Sequence, residues 1–92
     1  MVWAIIVDDK ALKILQKLDE LDKQVAAGII NFIENRLAVA EKPRLLGSAL
    51  QGSKLGDFWK YRLGVFRIIA SIQDVQVTIT IVKVTNRKKV YR

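Results

Sequence analysis

Apolar residues fall into two kinds of run along this chain, and the switch between them outlines the fold. Val2-Trp3-Ala4-Ile5-Ile6-Val7 is short, continuous and rich in β-branched residues, the pattern of a buried strand. Asp8 or Asp9 can cap a helix behind it. Ala11, Leu12, Ile14, Leu15, Leu18 and Leu21 then recur at helical spacing, with Lys10, Lys13, Lys17 and Glu20 filling the other side. Asp22 reads as the next cap. Beyond it Val25, Ala26, Ile29, Ile30, Ile33 and Leu37 repeat with a period of about 3.6 residues. Two helices with so short a connection form an antiparallel hairpin, and its apolar face needs a partner.

Residues 41–57 break this pattern. They hold the only proline, Pro43, and the glycines Gly47, Gly52 and Gly56. They read as a loop, with Leu45, Leu46 and Leu50 as the anchors that pin it to the core. From Phe58 onward the pattern alternates with period two. Residues 58–63 form a strand, Gly64 marks a turn, and residues 65–73 form a second strand. Asp74-Val75 is a turn candidate, and residues 76–84 form a third strand. The expected architecture is α+β: an N-terminal strand, then a two-helix antiparallel hairpin packed on one face of a largely antiparallel four-stranded sheet. Residues 1–92 read as one domain.

The alternation assigns side chains to faces. A two-residue hairpin at Gly64-Val65 pairs Leu63 with Phe66, Arg62 with Arg67 and Tyr61 with Ile68. A turn at Leu63-Gly64 would set Lys60 opposite Arg67 instead. Both registers leave Lys60, Arg62 and Arg67 on one side, since side-chain direction repeats every second residue. The other side carries Trp59, Tyr61, Leu63, Phe66, Ile68, Ala70 and Ile72, continued by Val77, Ile79 and Ile81, and should pack on the helices. Ser71, Thr78 and Thr80 complete the polar side. No carboxylate on these strands neutralises the three cations. Like charges directly across a sheet cost up to about 1 kcal/mol per pair. They are either long side chains splayed into water or a binding site for phosphate.

Charge sharpens that choice. The 92 residues carry Lys plus Arg 16 against Asp plus Glu 9, a net charge of +7. Residues 1–57 are balanced. Residues 58–92 hold Lys60, Arg62, Arg67, Lys83, Arg87, Lys88, Lys89 and Arg92 against Asp74 alone. Such concentration accepts self-repulsion, and a polyanionic partner is a common reason for it. Tyr91, among the cations of the tail, can stack on a base. A hydrophobic share of 51% marks a globular chain. There is no Cys, hence no disulfide framework and no thiolate metal site. There is no His, which excludes Ser-His and Cys-His catalysis. The acidic clusters Asp8-Asp9 and Asp19-Glu20-Asp22 sit at expected helix ends, away from the basic side, so a metal nuclease is the poorer enzyme reading. No cofactor or metal is expected. No run approaches the length of a membrane span or a signal segment, and a cytoplasmic location without membrane partners is expected.

The stretch Phe58-Trp59-Lys60-Tyr61-Arg62-Leu63-Gly64-Val65-Phe66-Arg67-Ile68-Ile69 resembles the pattern W-[KR]-Y-R-V-G-D-Y-R-I-I of RelE-type toxins. Val84-Thr85-Asn86-Arg87-Lys88-Lys89-Val90-Tyr91-Arg92 is similar to their closing V-G-H-R-[KR]-x-V-Y-R, and Pro43 with Leu50-Gln51-Gly52 is similar to their proline and L-x-G loop. The order of elements matches as well, so the resemblance to the RelE/ParE toxin superfamily spans nearly the whole chain.

The RelE branch cleaves mRNA in the ribosomal A site, and the ParE branch poisons DNA gyrase. The resemblance implies the first: a type II toxin acting as a ribosome-dependent endoribonuclease. It assigns catalysis to Lys60, Arg67, Arg87 and Tyr91. RNA or phosphate binding falls to Arg62, Lys54, Lys88, Lys89 and Arg92. In that chemistry the substrate's 2′-hydroxyl attacks the adjacent phosphate. Arg67 and Arg87 stabilise the developing charge. Lys60 is the candidate general base, because neighbouring cations favour a neutral amine. Tyr91 stacks on a base. The implied partners are the ribosome with its mRNA and a RelB-like antitoxin whose acidic segment wraps the toxin. Operator DNA is reached mainly through the antitoxin complex. Two departures stand out: Asn86 replaces the usual His, and Val65 replaces the usual Asp. The alternatives are a gyrase-inhibiting toxin of the same fold and a non-catalytic RNA- or ribosome-binding module.

Overall fold

The computed structural model describes residues 2–50 and 58–86. Strand β1 (Ala4–Val7) leads through Asp8 into helix α1 (Asp9–Leu21). Asp8 caps that helix, its carboxylate accepting from the Lys10 N–H at 3.3 Å. One residue joins α1 to α2 (Lys23–Phe32). Asp22 closes the first helix by donating its N–H to the Leu18 carbonyl at 2.7 Å. It opens the second by accepting from the Gln24 and Val25 N–H groups at 3.2 and 3.3 Å. Each such cap typically contributes ~1 kcal/mol.

The second helix ends in a widened turn rather than running regularly to Leu37. Residues Ile33–Leu37 form a π-turn, closed by the Ala38 N–H on the Ile33 carbonyl at 2.9 Å. The extra residue in this turn lets the adjacent Phe32 and Ile33, together with Leu37, all reach the core. The chain then returns to its start. The Ala38 and Ala40 carbonyls accept from the Trp3 backbone N–H (2.7 Å) and indole N–H (2.9 Å).

The expected loop after residue 41 is more ordered than its composition suggests. Pro43–Leu46 form a 3₁₀ turn, and Ser48–Ala49 add a two-residue strand, β2, to the sheet. The sheet therefore has five strands, not four. The anchors differ too. Leu45 is 77% exposed and Leu46 37%, whereas Pro43 is fully buried. The Tyr61 hydroxyl donates to the Pro43 carbonyl at 2.9 Å. Gly47 lies flat on the Tyr61 ring, where a Cβ would sit 2.7 Å from two ring carbons and closer still to the Lys60 carbonyl oxygen. A backbone and a ring thus hold this segment, where the hydrophobic pattern pointed to leucines.

Strands β3 (Phe58–Leu63), β4 (Phe66–Gln73) and β5 (Thr78–Asn86) complete the sheet in the order β1-β5-β4-β3-β2. All neighbours are antiparallel except β1, which runs parallel to β5. The turn at Gly64-Val65 has two residues as expected, with Leu63 opposite Phe66 and Arg62 opposite Arg67. Gly64 supplies the positive φ (60°) that the first position of such a turn demands. The next turn has four residues, 74–77, where two were expected, so β5 starts two residues late. Val77 ends it at φ 49°, a conformation β-branched residues resist. Because the difference is an even number, Ile79 and Ile81 keep the core side.

The helices cover the face carrying Tyr61, Phe66, Ile68, Ala70, Ile72, Ile79, Ile81 and Val84. Ala11, Leu15, Leu18, Ala26, Ile29, Phe32, Ile33 and Leu37 meet them there. Leu12, Leu21 and Ile30, part of the helical pattern, face outward. Among the described residues no helix is long and apolar enough to cross a membrane.

Candidate functional site

The sheet face turned away from the helices is where the cations gather. Cross-strand register sorts its residues into rows. Ser48, Lys60, Ile69 and Lys83 lie side by side across β2, β3, β4 and β5. Arg62, Arg67 and Thr85 form the next row. Phe58, Ser71, Thr80 and Ile6 form the row on the other side. Side chains directly opposite on neighbouring strands have Cβ atoms about 5 Å apart. Lys60, Arg62 and Arg67 are thus brought together as the alternation predicts, and Lys83 joins them.

Lys83 is the residue that simple alternation misses. Period two from Ile79 and Ile81 would point Lys83 into the helix-packed core. The register between β4 and β5 instead shifts between Ile69 and Ala70, where Ala70 faces Ile81 but Ile69 faces Lys83. Val82 is the extra residue of this bulge. It turns Lys83 out, where it is exposed, and Val84 in, where it is 1% exposed. The signal was present in the sequence: Ile81-Val82 is the one place in the strand where two apolar residues follow each other and the phase changes.

The electrostatics of the face are one-sided. No described carboxylate lies on these rows. Asp74, alone among the cations of residues 58–86, is engaged elsewhere. Arg44 grips it with two hydrogen bonds, at 3.0 and 2.7 Å, beyond the far end of the sheet. The same guanidinium stacks 5.9 Å over the Trp59 ring. Arg67 is partly buried, and its Nε is fully so, with no acceptor among the described residues. A buried donor left without an acceptor costs about 1–3 kcal/mol, and an anionic oxygen on this face would recover it. Arg62 is exposed and stands directly across from it.

Behind this face the structure is rigid. Tyr61, between Lys60 and Arg62 in sequence, points the opposite way and is fully buried. Its ring meets Phe32 at 5.7 Å between centroids. Burial pushes its phenol up to about 12, against a lowering pull from Arg44. It is a fixed donor to Pro43, and it holds the strand that presents the two cations.

Asn86 ends β5 opposite Phe66, on the helix side of the sheet and not on the face of Arg67 and Thr85. Lys54, Arg87, Lys88, Lys89, Tyr91 and Arg92, the remaining residues marked by the sequence, lie outside the described residues. Among the described residues no group of three or more His, Cys, Asp or Glu could hold a metal ion.

Comparison with known proteins places this geometry in a family. A family model described as ParE toxin of type II toxin-antitoxin system, parDE, matches residues 5–91. The fold is similar to that in the RelBE2 toxin-antitoxin complex of Mycobacterium tuberculosis, with a TM-score of 0.80 and 22% identity, covering 97% of this chain and 95% of that one. It is similar to that in the archaeal RelE-RelB complex of Pyrococcus horikoshii, with a TM-score of 0.74 and 26% identity over 97% of this chain and 99% of that one. The isolated RelE toxin of E. coli aligns with a TM-score of 0.60 and 20% identity, covering 95% and 86% of the two chains. No curated protein matches the sequence.

Proposed function

The chain belongs to the ParE toxin family of type II toxin-antitoxin systems, within the RelE/ParE superfamily, and from that premise we propose that it is a ribosome-dependent endoribonuclease that cuts mRNA in the A site. The observation that carries this reading is the Arg62–Arg67 pair, set directly across the helix-free face with Lys60 and Lys83 in the adjoining row and no described carboxylate among them. Such a face suits a phosphodiester backbone. A protein-binding surface alone gains little from a buried arginine donor with no acceptor.

In the proposed reaction the 2′-oxygen attacks the neighbouring phosphorus. Lys60 Nζ takes the 2′-hydroxyl proton. The bond from phosphorus to the 5′-oxygen breaks, leaving a 2′,3′-cyclic phosphate, and the departing oxygen takes a proton from water. Arg67, joined by Arg87 from the tail, stabilises the charge that builds on the phosphate oxygens. Arg62, Lys54, Lys88, Lys89 and Arg92 hold the backbone, and Tyr91 stacks on a base. With no histidine in the chain, the ribosome's positioning of the mRNA supplies much of the rate.

The partner set of this reading is the ribosome, its mRNA and a cognate antitoxin, with operator DNA bound chiefly through the antitoxin. Two of the similar structures are toxin-antitoxin complexes, which supports the antitoxin. The family-model match favours a second reading, a gyrase poison of the ParE kind, in which the basic face binds protein or DNA. One experiment separates the two: primer extension on a defined mRNA with programmed ribosomes, run beside a gyrase supercoiling assay. Cleavage that needs the ribosome is the expected result. Intact mRNA with inhibited gyrase would overturn it.

A further inference from the structure

The sheet has an edge that its own strands leave open. β1 ends at Val7, opposite Ile81, and Asp8 donates its N–H to the Ile81 carbonyl at 2.9 Å before the chain turns into α1. β5 runs on to Asn86. Beyond Ile81 the described residues pair with it only on its β4 side. In the space that β1 leaves, a groove opens between Val82–Thr85 and the helix residues Lys10, Ala11, Lys13, Ile14 and Lys17. Four consecutive strand residues line it. Successive side chains point to opposite faces, so consecutive residues share a groove only where a strand is met edge-on.

The lining has two chemistries. Lys10, Lys13 and Lys17 are exposed along one side of α1, with no carboxylate partner among the described residues. Ala11, Ile14 and Val84 give an apolar floor. A nucleic-acid backbone would use the lysines and leave both the floor and the strand edge unused. An extended polypeptide that alternates acidic and apolar residues uses all three, through its carboxylates, its apolar side chains and its main-chain hydrogen bonds.

We propose that this groove receives an extended acidic segment of a protein partner, which pairs with the open half of β5 as an added strand and sets its carboxylates against Lys10, Lys13 and Lys17. It rests on the toxin reading for the partner's identity, an antitoxin. It adds a place for that partner on the flank of the sheet, away from the row of Arg62 and Arg67.

The probe is a labelled, end-blocked eight-residue peptide alternating Glu and Val, with a second version N-methylated at alternate residues. Binding to the full chain is read by fluorescence anisotropy. Lys13→Gln/Lys17→Gln removes two exposed charges and should weaken binding about 10-fold, with thermal melting unchanged. N-methylation should abolish binding, because it removes the donors of the added strand. Equal binding by the double variant, or by the methylated peptide, would overturn the proposal. Displacement of the peptide by a single-stranded RNA oligomer, with the RNA itself weakened by Lys13→Gln/Lys17→Gln, would make the groove a nucleic-acid surface and also overturn it. The double variant should keep ribosome-dependent cleavage. Failure of peptide binding with cleavage intact removes the groove alone. Peptide binding without cleavage removes the nuclease reading alone.

Discussion

Replacing Tyr61 by phenylalanine tests how the sheet is braced behind the basic face. The side chain is fully buried, and its hydroxyl donates to the Pro43 carbonyl at 2.9 Å. Tyr61→Phe removes the donor and strands a buried acceptor. A neutral hydrogen bond contributes about 0.5–1.5 kcal/mol net, and a stranded buried group costs about 1–3 kcal/mol. The expected loss at pH 7 is therefore about 1–2 kcal/mol. A second consequence follows from titration. Burial raises the phenol to about 12 from its ordinary 10.0. Between those values the folded state keeps a proton that the unfolded chain has released. The contribution is thus fully present below pH ~10 and is lost as pH rises towards ~12. A tenfold change in proton affinity corresponds to about 1.4 kcal/mol, so the limit is about 2–3 kcal/mol. Phenylalanine has nothing to titrate, so the difference between the parent and Tyr61→Phe must shrink over that window. Urea unfolding followed by Trp3 and Trp59 fluorescence at pH 8, 10, 11 and 12 reads it directly. A parent-minus-variant difference that stays constant from pH 8 to pH 12 would refute the reasoning.

Three further outcomes are expected. Arg62→Gln relieves the charge pair with Arg67 and should raise the urea midpoint by up to ~1 kcal/mol of stability at low salt, with the gain fading in high salt; an unchanged midpoint at low salt would show that the two side chains do not feel each other. Arg67→Ala and, separately, Arg87→Ala should each lower ribosome-dependent cleavage about 100- to 1,000-fold while circular dichroism stays native; full toxicity in a folded Arg87→Ala protein would count against the assigned tail. Gly47→Ala forces a Cβ onto the Tyr61 ring and the Lys60 carbonyl and should cost about 1–3 kcal/mol, seen as a lower thermal midpoint; an unchanged midpoint would mean that the segment over Tyr61 is free to move.

Much of the fold was legible because its rules have short periods. The two caps, the helix hairpin and the Gly64-Val65 turn each follow from a few adjacent residues. The basic face was legible because facing depends only on parity, and the four-residue turn at 74–77 changed the loop length by an even number. Where a single residue changes the phase, parity fails. Val82 is such a residue, so Lys83 was missed, although the Ile81-Val82 doublet marks the spot. Residues 41–50 were misread for a different reason. Their anchoring depends on what lies opposite, a tyrosine ring 18 positions from Pro43, and hydrophobicity along the chain carries no information about that. Leu45 and Leu46 look like core residues and are exposed. Asn86 shows the same limit: its place in the sequence motif does not say which side of the sheet it takes.

The parallel pairing of β1 with β5 also governs when this protein can exist. Ala4 finds its partner in Thr78, about seventy residues further along the chain, and β5 sits between β1 and β4. Contacts of such separation close late, because the chain entropy they cost is met before they repay it. During synthesis β1 and the helix hairpin leave the ribosome first, with half of their core missing. The hairpin cannot bury its apolar face until β5 has cleared the exit tunnel, and the rows of cations cannot line up before then. A growing chain is therefore harmless to the ribosome that makes it. The interval before closure, when β1 and the helix face stand open, is the time in which a partner made alongside can take hold.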